Sequence, residues 1–321
     1  MRSIQTTLTF PLSSIKPLEG LLRYRRYCLD AMRDAFQHGV MRRDRSPVSG
    51  VPLEPVGTIE GFSYGRCPDG GGLFLMTVTD PQAWTGLLAD VSRYRHSPDA
   101  FHADLAHSRS DHVYAPKLEW IRDTLRFQEF HRPTLLEVTT PPSDFTPLLE
   151  ASGLCAAILT REEMGLVRDA MSPAEPVQVA VLLESLDRVD DPVALLHAVH
   201  QRLVPGGLLF VTALVASGFD MAVLGLRNLY LYPPDRTNCF TLQGLQSVLE
   251  RAGFGLLEVS TPGVLDLEIV QAHRRQDPAL ALSAFEEQLL AVDQETREAF
   301  QAFLQQQRLS SFARLVARKL P

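Results

Sequence analysis

Two four-residue segments, Val51-Pro-Leu-Glu54 and Cys67-Pro-Asp-Gly70, have the spacing of paired Cys-x-x-Cys knuckles, the ligand pattern of a tetrahedral structural zinc. Val51 and Gly70 carry no ligating group, Glu54 could serve, and Cys67 is a lone thiol. Three of the four positions have departed from cysteine, so zinc is not expected, and the surrounding hairpins must persist by packing. His96, His102, His107 and His112 form a second suggestive group. Their spacings of six, five and five do not keep one helical face, so they read as surface or loop residues and not as a metal site. His197 and His200 are three apart on a helix and read as exposed. No serine or cysteine sits in a nucleophile elbow.

The elements that must position such residues follow from periodicity. Leu21, Leu22, Leu29, Met32 and Phe36 recur at helical spacing, predicting an amphipathic helix over Leu18 to Met41, ended by Gly39 and the arginines after it. Pro47 to Gly72 is rich in Gly and Pro and predicts small hairpins. Asp80 opens a helix through Trp84, Leu87, Leu88 and Val91, and a further helix is predicted over Pro116 to Phe130. Strands then alternate with helices: Thr134 to Val138, Cys155 to Leu159, Val177 to Leu183 and Leu208 to Ala213 are apolar strands, with helices over Phe145 to Ser152 and Pro192 to Leu203. This alternation predicts a parallel sheet covered on both faces. A helix over Leu242 to Ala252, a strand over Leu256 to Ser260, a helical tail over Ala279 to Arg308 and a last strand over Phe312 to Arg318 complete the reading.

Composition bounds the function. The chain has 321 residues, 45% of them hydrophobic and 21% charged, with formal charge −7. This is enough chain for about two folding units. Its acidic balance disfavours nucleic-acid or anionic-membrane binding; the arginines at 23, 25 and 26 and at 42, 43 and 45 read as solvated helix faces and exits. The opening stretch Met1 to Leu12 has no continuous apolar run, and Leu208 to Ala216, the longest, is far short of the ~20 residues of a membrane span. The four cysteines (Cys28, Cys67, Cys155 and Cys239) are too far apart for a local metal motif or a small disulfide framework. A reduced, cytoplasmic protein is expected.

Residues Val177 to Val215 contain Glu184 after a strand, Asp191-Pro192 at a helix start and Pro205-Gly206-Gly207 before the next strand. Tyr232-Pro-Pro-Asp-Arg236, Phe240-Thr, Arg251-Ala-Gly-Phe254 and Thr261-Pro-Gly-Val-Leu-Asp266 continue the order. This series resembles the class I S-adenosylmethionine-dependent methyltransferases, in the subgroup that carries a zinc ribbon ahead of the catalytic domain and includes sugar methyltransferases. The likeness covers residues from about 45 to 320. It implies a Rossmann-like α/β fold, a mostly parallel seven-stranded sheet with helices on both faces. Ahead of it stands a helical and degenerate zinc-ribbon-like N-terminal region. The expected division is 1–115 for that region, 116–275 for the methyltransferase-like domain and 276–321 for a helical segment with a last strand that completes it.

The resemblance also places the cofactor site. The family turn after the first strand has the form Glu-x-Gly-x-Gly-x-Gly, since glycine gives the positive dihedrals and lets backbone approach the ligand. Here Glu137 is retained while Thr139, Pro141 and Ser143 stand at the glycine positions. Pro141 and Pro142 lack N–H donors and fix φ at ~−65°. At the next strand the acid expected to hold the ribose hydroxyls is replaced by Leu159; Glu162 and Glu163 read as helix-start carboxylates, with a reach back to the crevice as the alternative. Losing two neutral hydrogen bonds of about 1 kcal/mol and one charge-assisted contact of about 2 kcal/mol would weaken cofactor binding roughly a thousandfold.

Where relatives carry histidines suited to proton transfer, this chain has Asp187-Arg188-Val189 and Pro234-Asp235-Arg236. Arginine stays protonated and is no general base. Asp187 and Asp235 could pair with these arginines. The expectation is a pseudo-methyltransferase with an eroded S-adenosylmethionine site. It acts as a binding or scaffold partner, joined to a second copy of itself or to an active methyltransferase, without nucleic acid or membrane. The alternative is an active enzyme on a sugar or small metabolite. Glu137, Glu184 and the turn would then line the cofactor, with Asp187, Arg188 and Arg236 towards substrate. A third reading is a small-molecule sensor using the remodelled crevice.

Overall fold

The computed structural model describes residues 11–170 and 175–321. Most of the opening stretch Met1 to Leu12 therefore lies outside the described residues. Strands β6 (Thr134–Val138), β7 (Ala157–Arg161), β8 (Val177–Leu183), β9 (Leu203–Leu214), β11 (Phe254–Ser260) and β12 (Phe312–Lys319) form one sheet in the order β11-β12-β9-β8-β6-β7. Its members β7, β6, β8 and β9 are parallel, and β12 runs antiparallel between β9 and β11.

Apolar residues on both faces of each central strand explain the layering. Leu135, Val179, Val181, Phe210 and Val316 face the helix Ala115–Phe127 through Leu118, Trp120 and Ile121. Their sequence neighbours Leu136, Ala180, Leu182, Val211 and Leu315 face the opposite layer, where Leu195, Leu196 and Val199 of Pro192–Arg202 and Leu245 and Val248 of Leu242–Arg251 lie.

The sheet has six strands among the described residues, not seven. Between β7 and β8 only residues 162–176 remain, and they include the helix Glu163–Arg168. Among the described residues β7 is the edge strand of this sheet.

The N-terminal region is built on the same core. The helix Leu18–Phe36 buries Leu21, Tyr24, Cys28, Leu29 and Met32. It stops five residues short of the expected Met41, where Gly39 turns the chain at φ +136°, and Met41 enters β1 (Met41–Arg42), paired with β5 (Thr77–Val78). Strands β2 (Glu54–Ile59), β3 (Phe62–Arg66) and β4 (Leu73–Leu75) make an antiparallel sheet whose fourth strand, β10 (Asn238–Cys239), comes from beyond β9. The two halves share one hydrophobic cluster. Glu54 is exposed at the start of β2, whereas the Cys67 thiol is buried and accepts the Gly70 N–H at 3.3 Å. Among the described residues no three His, Cys, Asp or Glu side chains gather to hold a metal. No described helix is long and apolar enough to cross a membrane.

Several other boundaries moved, two of them for a visible local reason. The strand expected over Cys155 to Leu159 runs over Ala157–Arg161, because its parallel register sets Thr134 opposite Ala157 and Val138 opposite Arg161. The expected tail helix is two, Ala284–Ala291 and Gln294–Gln306, since Asp293 caps the second through the Thr296 N–H.

Where β9 leaves the sheet and β12 enters it, two buried carboxylates hold the corner. Asp266 accepts the Ser310 hydroxyl at 2.6 Å and the Ser311 N–H at 2.8 Å, and Asp220 accepts Asn228 Nδ2 at 2.9 Å and the Ser311 hydroxyl. Burial first, and then the nearby charge of Asp266, push the Asp220 carboxyl up to about 7. An acid raised on folding keeps its proton while the unfolded chain loses it, so its contribution falls as pH rises from about 4 to 7. Asp220→Asn, which keeps both hydrogen bonds by turning its amide, should gain on the wild type by up to about 1.4 kcal/mol per pH unit across that range. Urea denaturation of both proteins at pH 5, 6 and 7 measures this. Parallel stability curves would show that Asp220 is ionised throughout.

Candidate functional site

The turn between β6 and the helix Thr146–Ala151 is closed by its own side chains. Ser143 Oγ accepts the N–H groups of Phe145 and Thr146 at 3.1 and 3.2 Å, which caps the helix start. The same hydroxyl donates to Glu137 Oε1 at 2.7 Å, and the Thr146 hydroxyl donates to Glu137 Oε2 at 2.6 Å. Burial raises the Glu137 carboxyl above its ordinary range, while these two hydroxyls pull it back. Thr140 donates its hydroxyl to Glu163 at 2.6 Å, and the Ser92 hydroxyl lies 3.2 Å from Thr140 O and 3.3 Å from Pro142 O. Thus Glu163 reaches back to the turn, whereas Glu162 caps its helix through the N–H groups of Met164 and Gly165.

At the C-terminal end of β8, Glu184 adopts a left-handed conformation, φ 62° and ψ 17°. This turns its carboxylate between Arg236 Nη2 at 2.6 Å and Lys117 Nζ at 3.3 Å. Although burial opposes ionisation, Arg236, Lys117 and Lys16 hold this carboxyl well below the usual range. Asp187 lies beneath, fully buried, 3.4 Å from Arg236 and accepting the Leu214 N–H at 2.9 Å. Burial pushes it up to about 7 against the pull of Arg236. Asp235 pairs with Arg95 at 2.9 Å, whose guanidinium also donates to the Tyr24 hydroxyl at 2.6 Å. His96 Nε2 lies 3.1 Å from Asp144, which accepts the Tyr114 hydroxyl at 2.8 Å.

These groups surround a cavity of about 110 Å³ at the C-terminal ends of β6 and β8. Of the residues expected from sequence, Glu137, Thr139, Ser143, Glu184, Arg188 and Arg236 line it. Three do not. Pro141 is exposed on the outer side of the turn, Leu159 lies within β7 opposite Leu136, and Asp187 is packed under the strand end. Asp187 does pair with Arg236 as anticipated, but Asp235 takes Arg95 and neither Arg188 nor Arg236. The histidine reading is corrected in part. His107 is exposed beside Asp111, while His96 and His102 face the cavity, and His102 is buried between the rings of Phe101 and Tyr24.

Sequence reasoning missed Lys16, Tyr24, Arg95, Arg109 and Lys117, all from the N-terminal half. One signal was available for Lys117. It stands on the helix face whose next turn is Ile121, so a lysine there had to be buried, as it is at 3% exposure. For the others the sequence offers no periodic clue.

A family model described as "Methyltransferase domain" matches residues 68–259, more than half of the chain. No curated protein sequence matches it. Among solved structures the chain is similar to the Burkholderia thailandensis 1,6-didemethyltoxoflavin-N1-methyltransferase, solved with 1,6-didemethyltoxoflavin and S-adenosylhomocysteine. That match has 11% identity and TM-score 0.42 over 84% of this chain and 100% of that one. It is also similar to an S-adenosylmethionine-dependent methyltransferase from Mesorhizobium loti, with 16% identity and TM-score 0.34 over 61% of this chain and 96% of that one. A third is the Haemonchus contortus phosphoethanolamine N-methyltransferase 2 in complex with S-adenosyl-L-methionine, with 13% identity and TM-score 0.38 over 63% and 53%.

Proposed function

The chain belongs to the methyltransferase domain family, and we propose that it uses this fold as a binding platform without catalysing methyl transfer. The observation that carries this reading is the latch on Glu137. Both of its oxygens already accept a hydroxyl, from Ser143 and Thr146, so the turn that would receive S-adenosylmethionine is tied down by its own residues. Opening it for a ligand would strip a buried carboxylate of two partners, which costs more than leaving exposed ones unmade.

The residues present do not fit the cofactor. Side chains occupy the glycine positions at Thr139, Pro141 and Ser143, and leucine stands at 159 where an acid would bind the ribose. The cavity, about 110 Å³, is smaller than the ~300–1,000 Å³ of common small-molecule pockets. Its carboxylates are committed to internal partners, Glu184 to Arg236 and Asp235 to Arg95. No methyl-transfer step is therefore assigned to it. The binding partner in this reading is a protein, either a second copy of the chain or an active methyltransferase that the platform supports.

Isothermal titration with S-adenosylmethionine tests the reading. We expect no saturable heat up to about 1 mM, given a roughly thousandfold loss from a micromolar site. Micromolar binding would overturn the proposal, and labelled methyl transfer to any cell-extract component would do so more directly. Native mass spectrometry of the purified protein measures retained ligand, zinc and stoichiometry in one experiment.

A further inference from the structure

The charges around the cavity do not balance. Arg95 is matched by Asp235, and Lys117 and Arg236 share Glu184, while Asp144 is taken by His96 and Tyr114 and Glu137 by hydroxyls. Among the described residues no carboxylate lies at ion-pair distance from the other three lining cations, Lys16, Arg109 and Arg188. Arg109 is buried and spends Nη1 and Nη2 on Ile15 O and the Tyr114 hydroxyl. Lys16 Nζ sits 4.4 Å above the Tyr230 ring.

Buried polar atoms point the same way. Arg109 Nε, Arg188 Nε and His102 Nδ1 are shielded from solvent and have no hydrogen-bond partner, and all three residues line this cavity. The two guanidinium Nε–H groups are orphaned donors and mark the place of a missing acceptor, while His102 Nδ1 is an unpartnered polar atom beside them. Arg109 is buried and Lys16 and Arg188 are half-buried; cations drawn from water without a counterion are costly, and an anion seated among them offsets part of that cost.

We propose that the crevice binds a small dianion, a phosphate monoester or a dicarboxylate, held by Lys16, Arg109 and Arg188. The inference rests on the reading that S-adenosylmethionine has given up this crevice. Burial lowers the Lys16 ammonium to about 8, so it is part neutral near pH 8 and regains full charge as the anion enters. The cavity, about 110 Å³, has room for a phosphate or a four-carbon diacid.

The test is titration calorimetry and thermal melting with inorganic phosphate and, separately, with succinate, each against sodium chloride at equal ionic strength. We expect saturable binding in one arm or both, and the tighter arm names the anion class. Arg109→Met and Arg188→Met should each weaken that binding at least tenfold, with the far-UV circular dichroism of each variant showing that it still folds; Arg109→Met also gives up the hydrogen bonds to Ile15 O and the Tyr114 hydroxyl, so its ligand-free melting temperature should fall. Lys16→Met, in the turn ahead of the first long helix, supplies a further variant if either arginine change fails to fold. Absence of saturable binding in both arms, or variants that bind as the wild type does, would overturn the inference. A parallel S-adenosylmethionine titration separates the two proposals. Micromolar cofactor binding removes the premise of both proposals, whereas silence in every titration leaves the platform reading standing and defeats only the anion site.

Discussion

Glu184→Gln should destabilise the protein by about 3 kcal/mol, the lower end of the cost of breaking a buried ion pair because a quarter of the side chain stays exposed. The glutamine keeps the shape and removes the charge. Lys117, whose side chain is 4% exposed, loses its carboxylate, and Arg236 is left with Asp187 alone at 3.4 Å. Lys16 and Arg188 lose the nearest negative field as well. The pH dependence has a definite sign. A carboxyl held below its ordinary range contributes stability that is present above the unfolded value near ~4.3 and is lost as pH falls through the folded value. The variant should therefore differ most from the wild type at neutral pH and converge with it in acid. Urea denaturation at pH 7 and at pH 3 or below measures both effects. Unchanged stability at pH 7 would mean that Glu184 is not the anchor of the cationic cluster and is free to meet a ligand.

Gly218→Ala should be at least as damaging, by about 3 kcal/mol or more, since overpacking a rigid corner reaches or exceeds the top of the usual range. A Cβ on Gly218 would lie 2.2 Å from Ser311 Cα and 2.4 Å from Ser311 N, backbone atoms with no rotamer to swing away. Those atoms belong to the entry of β12, tied to the exit of β9 by the Val215 N–H to Ser311 O bond at 2.7 Å. Displacing them also loosens the Ser311 contacts with Asp220 and Asp266. The expected outcome is a large fall in melting temperature with early loss of protection in β12, read by hydrogen exchange. Gly86→Ala, where a Cβ meets nothing within 4 Å, is the matched control and should be nearly neutral or slightly stabilising. Equal behaviour of the two variants would show that the corner can relax.

Much of the scaffold was legible because local patterns coincide with it. The runs Thr134–Val138 and Val177–Leu183 are strands at their expected bounds, since apolar residues on both faces can be satisfied only between two helical layers. Asp80 and Asp191 cap helices as read, each accepting two backbone N–H groups. The six-strand sheet was harder to anticipate. The family resemblance led to a count of seven strands, whereas six pair in this sheet among the described residues. Likewise, the pairing of β10 with β4 joins residues far apart in sequence, and a two-residue strand leaves no periodic trace.

For the site the division is sharper. Sequence alone determined where the strands Thr134–Val138 and Val177–Leu183 end, and so that Glu137 and Glu184 stand at one edge of the sheet, while Thr139, Ser143, Arg188 and Arg236 were placed by the family resemblance. Tertiary structure alone decided what those residues do there. Whether Glu137 is free or latched depends on hydroxyls reached through a turn, and whether Arg109 is matched depends on chains meeting from opposite ends of the molecule. Charge compensation falls off over a few ångströms in space and takes no account of separation along the chain. Cations as distant in sequence as Lys16 and Arg188 could therefore be recognised as one cluster only once the fold had brought them to the same cavity.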